Sequence, residues 1–169
     1  MSQLPSVLED INAFFGDESY AGLCNTMTLP KVVVKTVDQT LSGFAGDVER
    51  SLGKLEKLES EVTISSFATK VMGLVGSRSS RDEVFVVRGA VDVGGTISTV
   101  IVRQSGLWKS LEINEFKTET EVSTNFAIAV EYFELEINGA EVIYIDKLDN
   151  VFRMNGVDRN EEVREALAQ

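Results

Sequence analysis

Reactive side chains are scarce in this sequence, and those that could do chemistry are poorly matched to one another. There is no histidine, which removes the commonest general base, the commonest metal ligand and every Ser-His or Cys-His nucleophilic pair. Cys24 is the sole cysteine, too few for an intrachain disulfide or a structural zinc site; it reads as a small apolar residue in a strand. Two carboxylate pairs, Glu119 with Glu121 and Glu134 with Glu136, have the residue types of a glycosidase acid and base. On a strand, however, a spacing of two only turns both side chains to the same face. Among 27 acidic residues such pairs arise by chance, and a solvated or lumen-facing strand face accounts for them. No catalytic residue, metal site or cofactor is expected.

One motif has a phosphate-binding look. Asp92-Val93-Gly94-Gly95-Thr96 matches the Asp-x-Gly-Gly-Thr hairpin with which sugar kinases of the actin-like fold hold ATP phosphates. Glycines there admit backbone N–H groups to the anion, and the aspartate handles the metal. That chemistry needs two domains closing on the nucleotide, and a chain of 169 residues cannot supply them. A plain hairpin turn is the sufficient reading. Trp108, the sole tryptophan, has no interleaved basic and aromatic neighbours, so it reads as a core or interface anchor rather than a base-stacking platform.

Charge excludes another class. The formal net charge is −11, and between Leu107 and Asp146 nine acids face only Lys109 and Lys117. Phosphate binding needs clustered Lys and Arg, so no nucleic-acid binding surface is expected, and an acidic wall would instead repel DNA. Hydrophobic residues make up 43% and charged ones 25%, as in a folded globular protein, and residues 1–169 suit one domain. No apolar run reaches the length of a membrane span, and the first ten residues lack a basic stretch followed by an apolar one. Synthesis in the cytoplasm without membrane insertion is the expectation.

The elements that would position these residues are mainly strands. Residues 31–37 are β-branched and follow Pro30, a position strands tolerate. In the second strand Leu58, Val62 and Ile64 share one face, with Lys57, Glu59, Glu61 and Thr63 on the other. Between them residues 38–53 form a long loop or extended hairpin, too long to be structureless without a function. One packed helix is predicted over 65–76, capped by Ser65 or Ser66, with Phe67, Val71, Leu74 and Val75 inward and Gly76 ending it. A polar loop at 77–81 closes it. Next, 84–93 and 96–102 flank the Gly94-Gly95 turn, and Asn138-Gly139 marks a second hairpin. Upstream of it the alternation changes phase: Phe126, Ile128, Val130 and Tyr132 fall on even positions, but Phe133, Leu135 and Ile137 on odd ones. A bulge or corner at 131–133 is predicted, carrying one strand between two sheet faces. A short C-terminal helix, capped by Asp158 or Asn160, carries Val163, Ala166 and Leu167 on its apolar side. The fold class is mainly β: an antiparallel barrel or sandwich with one packed helix and a terminal one.

An ordered set of segments over residues 12–167 carries a resemblance. Phe14-Phe15-Gly16 with Ser19-Tyr20-Ala21-Gly22 comes first, then Thr28-Leu29-Pro30-Lys31 with Val34-Lys35-Thr36. Residues 127–139 (AIAVEYFELEING), Tyr144-Ile145-Asp146 and Asn155-Gly156-Val157-Asp158 follow. In this order they resemble the major tail tube proteins of contractile-tailed phages and the tubes of R-type bacteriocins. The chain departs from that family in the long loop, where a Gly-Gly-Met stretch is common and Leu41-Ser42-Gly43-Phe44-Ala45-Gly46 stands here.

The resemblance implies hexameric rings stacked into a hollow tube, with strands of all six subunits closing one inner barrel. Further implied are a tail sheath protein outside, a tape measure protein and a baseplate as partners, and double-stranded DNA passing through without specific binding. The location implied is the virion tail. Closing a ring removes exposed strand edges, and head-to-tail stacking grows a filament. Within the 38–53 segment, Leu41, Gly43, Phe44, Val48 and Leu52 are the candidates for contact between subunits and rings. Should 31–37 and 55–64 join an inner barrel, Lys31, Lys35, Lys57, Glu59 and Glu61 would face the lumen, with Arg88 and Asp92 beside them. A bacteriocin or secretion tube and a monomeric β-barrel module for a small ligand are the alternatives.

Overall fold

Short alternating segments joined by turns that demand positive φ dictate an antiparallel meander, and the computed structural model, which describes residues 4–169, shows one. In chain order it contains β1 (Ser6–Phe15), β2 (Glu18–Ser19), β3 (Cys24–Thr28), β4 (Val34–Thr40), β5 (Asp47–Leu55) and β6 (Leu58–Ile64). Helix α1 (Thr69–Met72) and a 3₁₀ turn (Arg78–Asp82) follow. The second half holds β7 (Phe85–Val93), β8 (Thr96–Ile113), β9 (Thr124–Ile137), β10 (Ala140–Asp146), β11 (Val151–Met154), β12 (Val157–Asp158) and α2 (Glu161–Leu167). The main sheet runs β12-β11-β10-β9-β8-β7-β1-β2, with β6 and then β3 branching from β9; β4 and β5 pair only with each other. No helix among the described residues is long and apolar enough to cross a membrane.

Both predicted hairpins close as their sequences require. Gly94 and Gly95 have φ of 63° and 91°, and Asn138 and Gly139 of 50° and 82°, the pattern of a two-residue turn whose twist matches the strands. Asp92 Oδ1 accepts the Gly95 N–H at 2.7 Å, so the phosphate-like motif spends its carboxylate on its own turn.

The phase change in β9 is a bulge at Glu131. Ser105 pairs with Tyr132 but Gly106 with Val130, leaving Glu131 unmatched. On the other edge of β9 the partner changes at the same residue: β6 pairs as far as Val130, and β10 begins at Tyr132. One strand thus serves two layers. Phe126, Ile128 and Val130 on one side of the bulge and Phe133 on the other all reach the same core. Trp108 is its centre, 1% exposed, with Phe85 and Phe126 edge-on at 5.6 and 5.4 Å.

Several predicted boundaries shift. The helix is one turn, not twelve residues, because its intended start is held elsewhere: the Ser65 N–H bonds Leu23 O, and Ser66 O accepts from Thr124. Phe67 is therefore exposed, whereas Val71 and Leu74 are buried. Past Met72 the bonds tighten to Leu74 N–Val71 O and Val75 N–Met72 O, the 3₁₀ pattern that ends helices. The strand predicted at 31–37 begins at Val34, where pairing with Leu55 starts. β8 runs on to Ile113, well beyond the predicted 102. The terminal helix lies where expected, but the Asn160 side chain does not cap it; Asp158 Oδ1 takes the Asn160 N–H and Oδ2 binds Arg164 at 2.5 Å. That guanidinium holds the Asp158 carboxyl below the usual carboxylate range.

Candidate assembly surface

The segment around 38–53 is a free arm. It is the β4–β5 hairpin, and its strands make ladder bonds with no other part of the described chain. None of its strand residues is buried. Isolated two-stranded hairpins are marginal in water, so this one asks for a surface to lie on.

Pairing register divides the arm into two unlike faces, because opposed residues share a face and neighbours along a strand alternate. Val37 opposes Arg50 and Gln39 opposes Val48; with Lys35, Leu41 and Leu52 in the same alternation, this face is apolar and basic. Thr36 opposes Ser51, Asp38 opposes Glu49 and Thr40 opposes Asp47, an acidic face. The hydroxyls soften it: Thr36 hydrogen-bonds Glu49, and Thr40 Oγ1 donates to Asp47 Oδ1 at 2.6 Å. Like charges directly opposed, as Asp38 and Glu49 are, destabilise a sheet, so the face is not arranged for the arm's own stability. Of the contact candidates, Leu41, Val48 and Leu52 fall on the apolar face, while Gly43 and Phe44 sit in the tip, Phe44 being 65% exposed.

The seven lumen candidates are scattered. Lys31 and Lys57 are exposed in connectors, and Lys35 is on the apolar face of the arm. Glu59 and Glu61 project from the outer face of β6, where Glu59 pairs with Lys109, which lowers its pKa. Arg88 and Asp92 share the outer face of β7. The pair Glu134 and Glu136 is not a solvated face: both carboxylates clamp Arg103 Nη1, at 3.3 and 2.9 Å. Beside them Tyr132 packs edge-on against Tyr144 at 5.6 Å, and the Arg153 guanidinium lies 4.0 Å over the Tyr144 ring while binding Glu141. Glu119 and Glu121 lie in the loop between β8 and β9, apart from that cluster. Cys24 is buried, and burial pushes its thiol pKa up, as for a packing residue rather than a nucleophile.

The acidic face of the arm escaped the sequence reading, although alternation through 34–40 and 47–52 carried the signal. Strand edges add to it. Over Ser6–Asn12, β1 pairs on one side only, with β7, and β3 has β6 as its single extended partner. Paired acids bound to arginines, a buried thiol and an arm uncovered by the described residues define a β protein with open strand edges, the kind of surface to which other chains can add.

The family model of the phage tail tube protein FII matches residues 5–167, and the chain belongs to that family. It is similar to the tail tube protein of Escherichia phage P2, 27% identical over 166 residues that cover 95% of this chain and 96% of the relative. Among solved structures, the sheath/tube terminator of the PVC extracellular contractile injection system shares the fold at a TM-score of 0.57 and 12% identity, over 79% of this chain and 97% of that one. The tube-terminating cap of the anti-feeding prophage does so at 0.60 and 10%, over 80% and 93%. As a tail tube protein the chain is a structural component of the virion, not an enzyme.

Proposed function

We propose that the chain forms hexameric rings that stack into the inner tube of a contractile tail, the conduit for DNA into the host, with the sheath around it. Tape measure protein and baseplate would meet the tube inside and at its end. The uncovered arm carries this reading, since a two-stranded hairpin is marginal until a further surface covers it. Its apolar and basic face, with Val37, Leu41, Val48 and Leu52, lies against the neighbouring subunit or ring, and the tip residues Gly43 and Phe44 extend that contact. Its acidic face, Asp38, Asp47 and Glu49, turns to the lumen, where Glu59 and Glu61 continue the wall. Lys35 belongs to the contact on this reading. Carboxylates there hold no phosphate, so DNA slides rather than binds.

Negative-stain electron microscopy of the purified protein, with size-exclusion chromatography beside it, tests the proposal. Six-membered rings or tubes are expected. A monomer persisting at high concentration would sink it and favour a monomeric ligand-binding module.

A further inference from the structure

A second unpartnered surface lies between the base of the arm and the C-terminal helix. This groove of about 500 Å³ has Leu52 on one wall, Val163 and Leu167 on the other, Leu148 at the rim, and Ile145 and Phe152 as its floor. Leu148 is 75% and Leu167 59% exposed. Lys54 and Lys147 also line it, and among the described residues neither forms an ion pair. Lys147 Nζ donates only to the carbonyl oxygen of Glu56, at 2.9 Å. The acid of the groove, Asp146, is committed to its own turn by the N–H groups of Leu148 and Asp149, at 3.1 and 3.2 Å. Burial first, then Lys35 nearby, pushes the Lys147 pKa down, against a smaller opposing pull from Glu131.

An apolar cleft with two cations outside any ion pair selects an apolar residue on a segment of net negative charge. The chain displays one. Phe116, in the loop between β8 and β9, is 88% exposed, more than any other large hydrophobic residue among those described, and around it in sequence Glu115, Glu119 and Glu121 outweigh the single Lys117. Its loop is pre-formed: Asn114 exchanges bonds with Ser123 at 3.0 Å, and its Nδ2 donates to Glu121 O at 2.7 Å. The rival exposed aromatic, Phe44, sits in a tip with no acid between Leu41 and Gly46.

Phe116 cannot fill the groove of its own chain. The groove lies level with Glu131, whose carbonyl accepts the Lys147 N–H, and the loop lies beyond Thr124. Strand β9 separates the two levels by about 23 Å, whereas the three residues from Ile113 to Phe116 span at most about 10 Å. Knob and socket on different parts of one chain make a heterologous contact, which builds a ring where its rotation closes and a filament where it does not.

We propose that Phe116 of one copy inserts into the groove between the arm base and α2 of the next copy, with Glu115 and its neighbours meeting Lys54 and Lys147. The contact rests on the tube reading and names the surfaces that join its subunits. Subunits bearing Phe116→Cys are mixed with subunits bearing Leu148→Cys, assembled and oxidised; Cys24 is buried and stays out of the reaction. A disulfide-linked dimer from the mixture is expected, in place of one formed with Phe44→Cys. Phe116→Ser alone should keep the fold, read by Trp108 fluorescence, and raise the concentration needed for assembly at least about tenfold, as loss of a buried anchor does. Tubes in which Leu148→Cys links to Phe44→Cys, or to neither, overturn this contact and leave the tube reading standing. Wild-type protein that never assembles overturns both.

Discussion

At Gly106 the β8 backbone comes so near β9 that a Cβ would collide with the Ala129 carbonyl oxygen and stand 3.0 Å from Val130 Cα. Both neighbours are backbone, which cannot turn aside. Gly106→Ala is thus expected to cost about 1–3 kcal/mol, the range for overpacking a tight interior, in urea denaturation followed by Trp108 fluorescence. An unchanged midpoint would show that the bulge relaxes freely. The tyrosines give a second residue-scale expectation. Burial first, then the Glu18 carboxylate, lifts Tyr20 from the ordinary 10.0 to about 12. Burial is also the leading cause for Tyr132 and Tyr144, with Glu134 and Asp146 adding to it. Each phenol is favoured neutral in the fold, so this stabilisation is complete below the ordinary value and is lost as pH rises through the raised ones. Tyrosinate absorbance should stay flat through pH 10 and then rise, with unfolding close behind; a full signal at the ordinary pKa refutes the burial argument. Sequence made Cys24 and Trp108 legible because each was a lone residue of strongly buried type. It hid the Glu134 and Glu136 clamp because Arg103 is distant in sequence and becomes a neighbour only through β8–β9 pairing.

The arm is the element on which assembly should turn. Removing Ser42–Asp47 takes away its tip and the last pair of its ladder, while the buried core draws nothing from those residues. The shortened protein is expected to unfold at an unchanged denaturant midpoint yet to stay unpolymerised in the microscope. Continued tube growth would remove the tip from the contact. Turn chemistry explains which elements could be read in advance. Gly94-Gly95 and Asn138-Gly139 each encode one backbone geometry, and a phase slip around Glu131 announces a bulge. The far half of β8 was illegible for the complementary reason. Its register breaks twice, at Ser105/Gly106 and Trp108/Ser110, so no unbroken alternation survives to be counted. β1 breaks likewise between Leu8 and Asp10, and α1 competes with strand-type bonds at Ser65 and Ser66 that local propensity does not contain.

At the scale of the molecule, charge decides what the assembled wall does. In the ring proposed above, a net charge of −11 per subunit would multiply, yet at physiological salt screening sets in within about 8 Å, so DNA in its lumen would feel only nearby wall residues. If the acidic face of the arm is that wall, its sign can be inverted without touching the apolar face that holds the subunits together. Asp38→Lys, Asp47→Lys and Glu49→Lys together should leave tubes forming, because those residues share one face of the hairpin and lie away from Val37 and Val48. The same tubes should now retain short duplex DNA at low salt in an anisotropy assay and release it as salt rises, the signature of counterion release, where wild-type tubes retain none. Loss of tubes would place the acidic face at the contact instead. Tubes that assemble and still ignore DNA would put these carboxylates on the outside, facing whatever surrounds the tube rather than what moves through it.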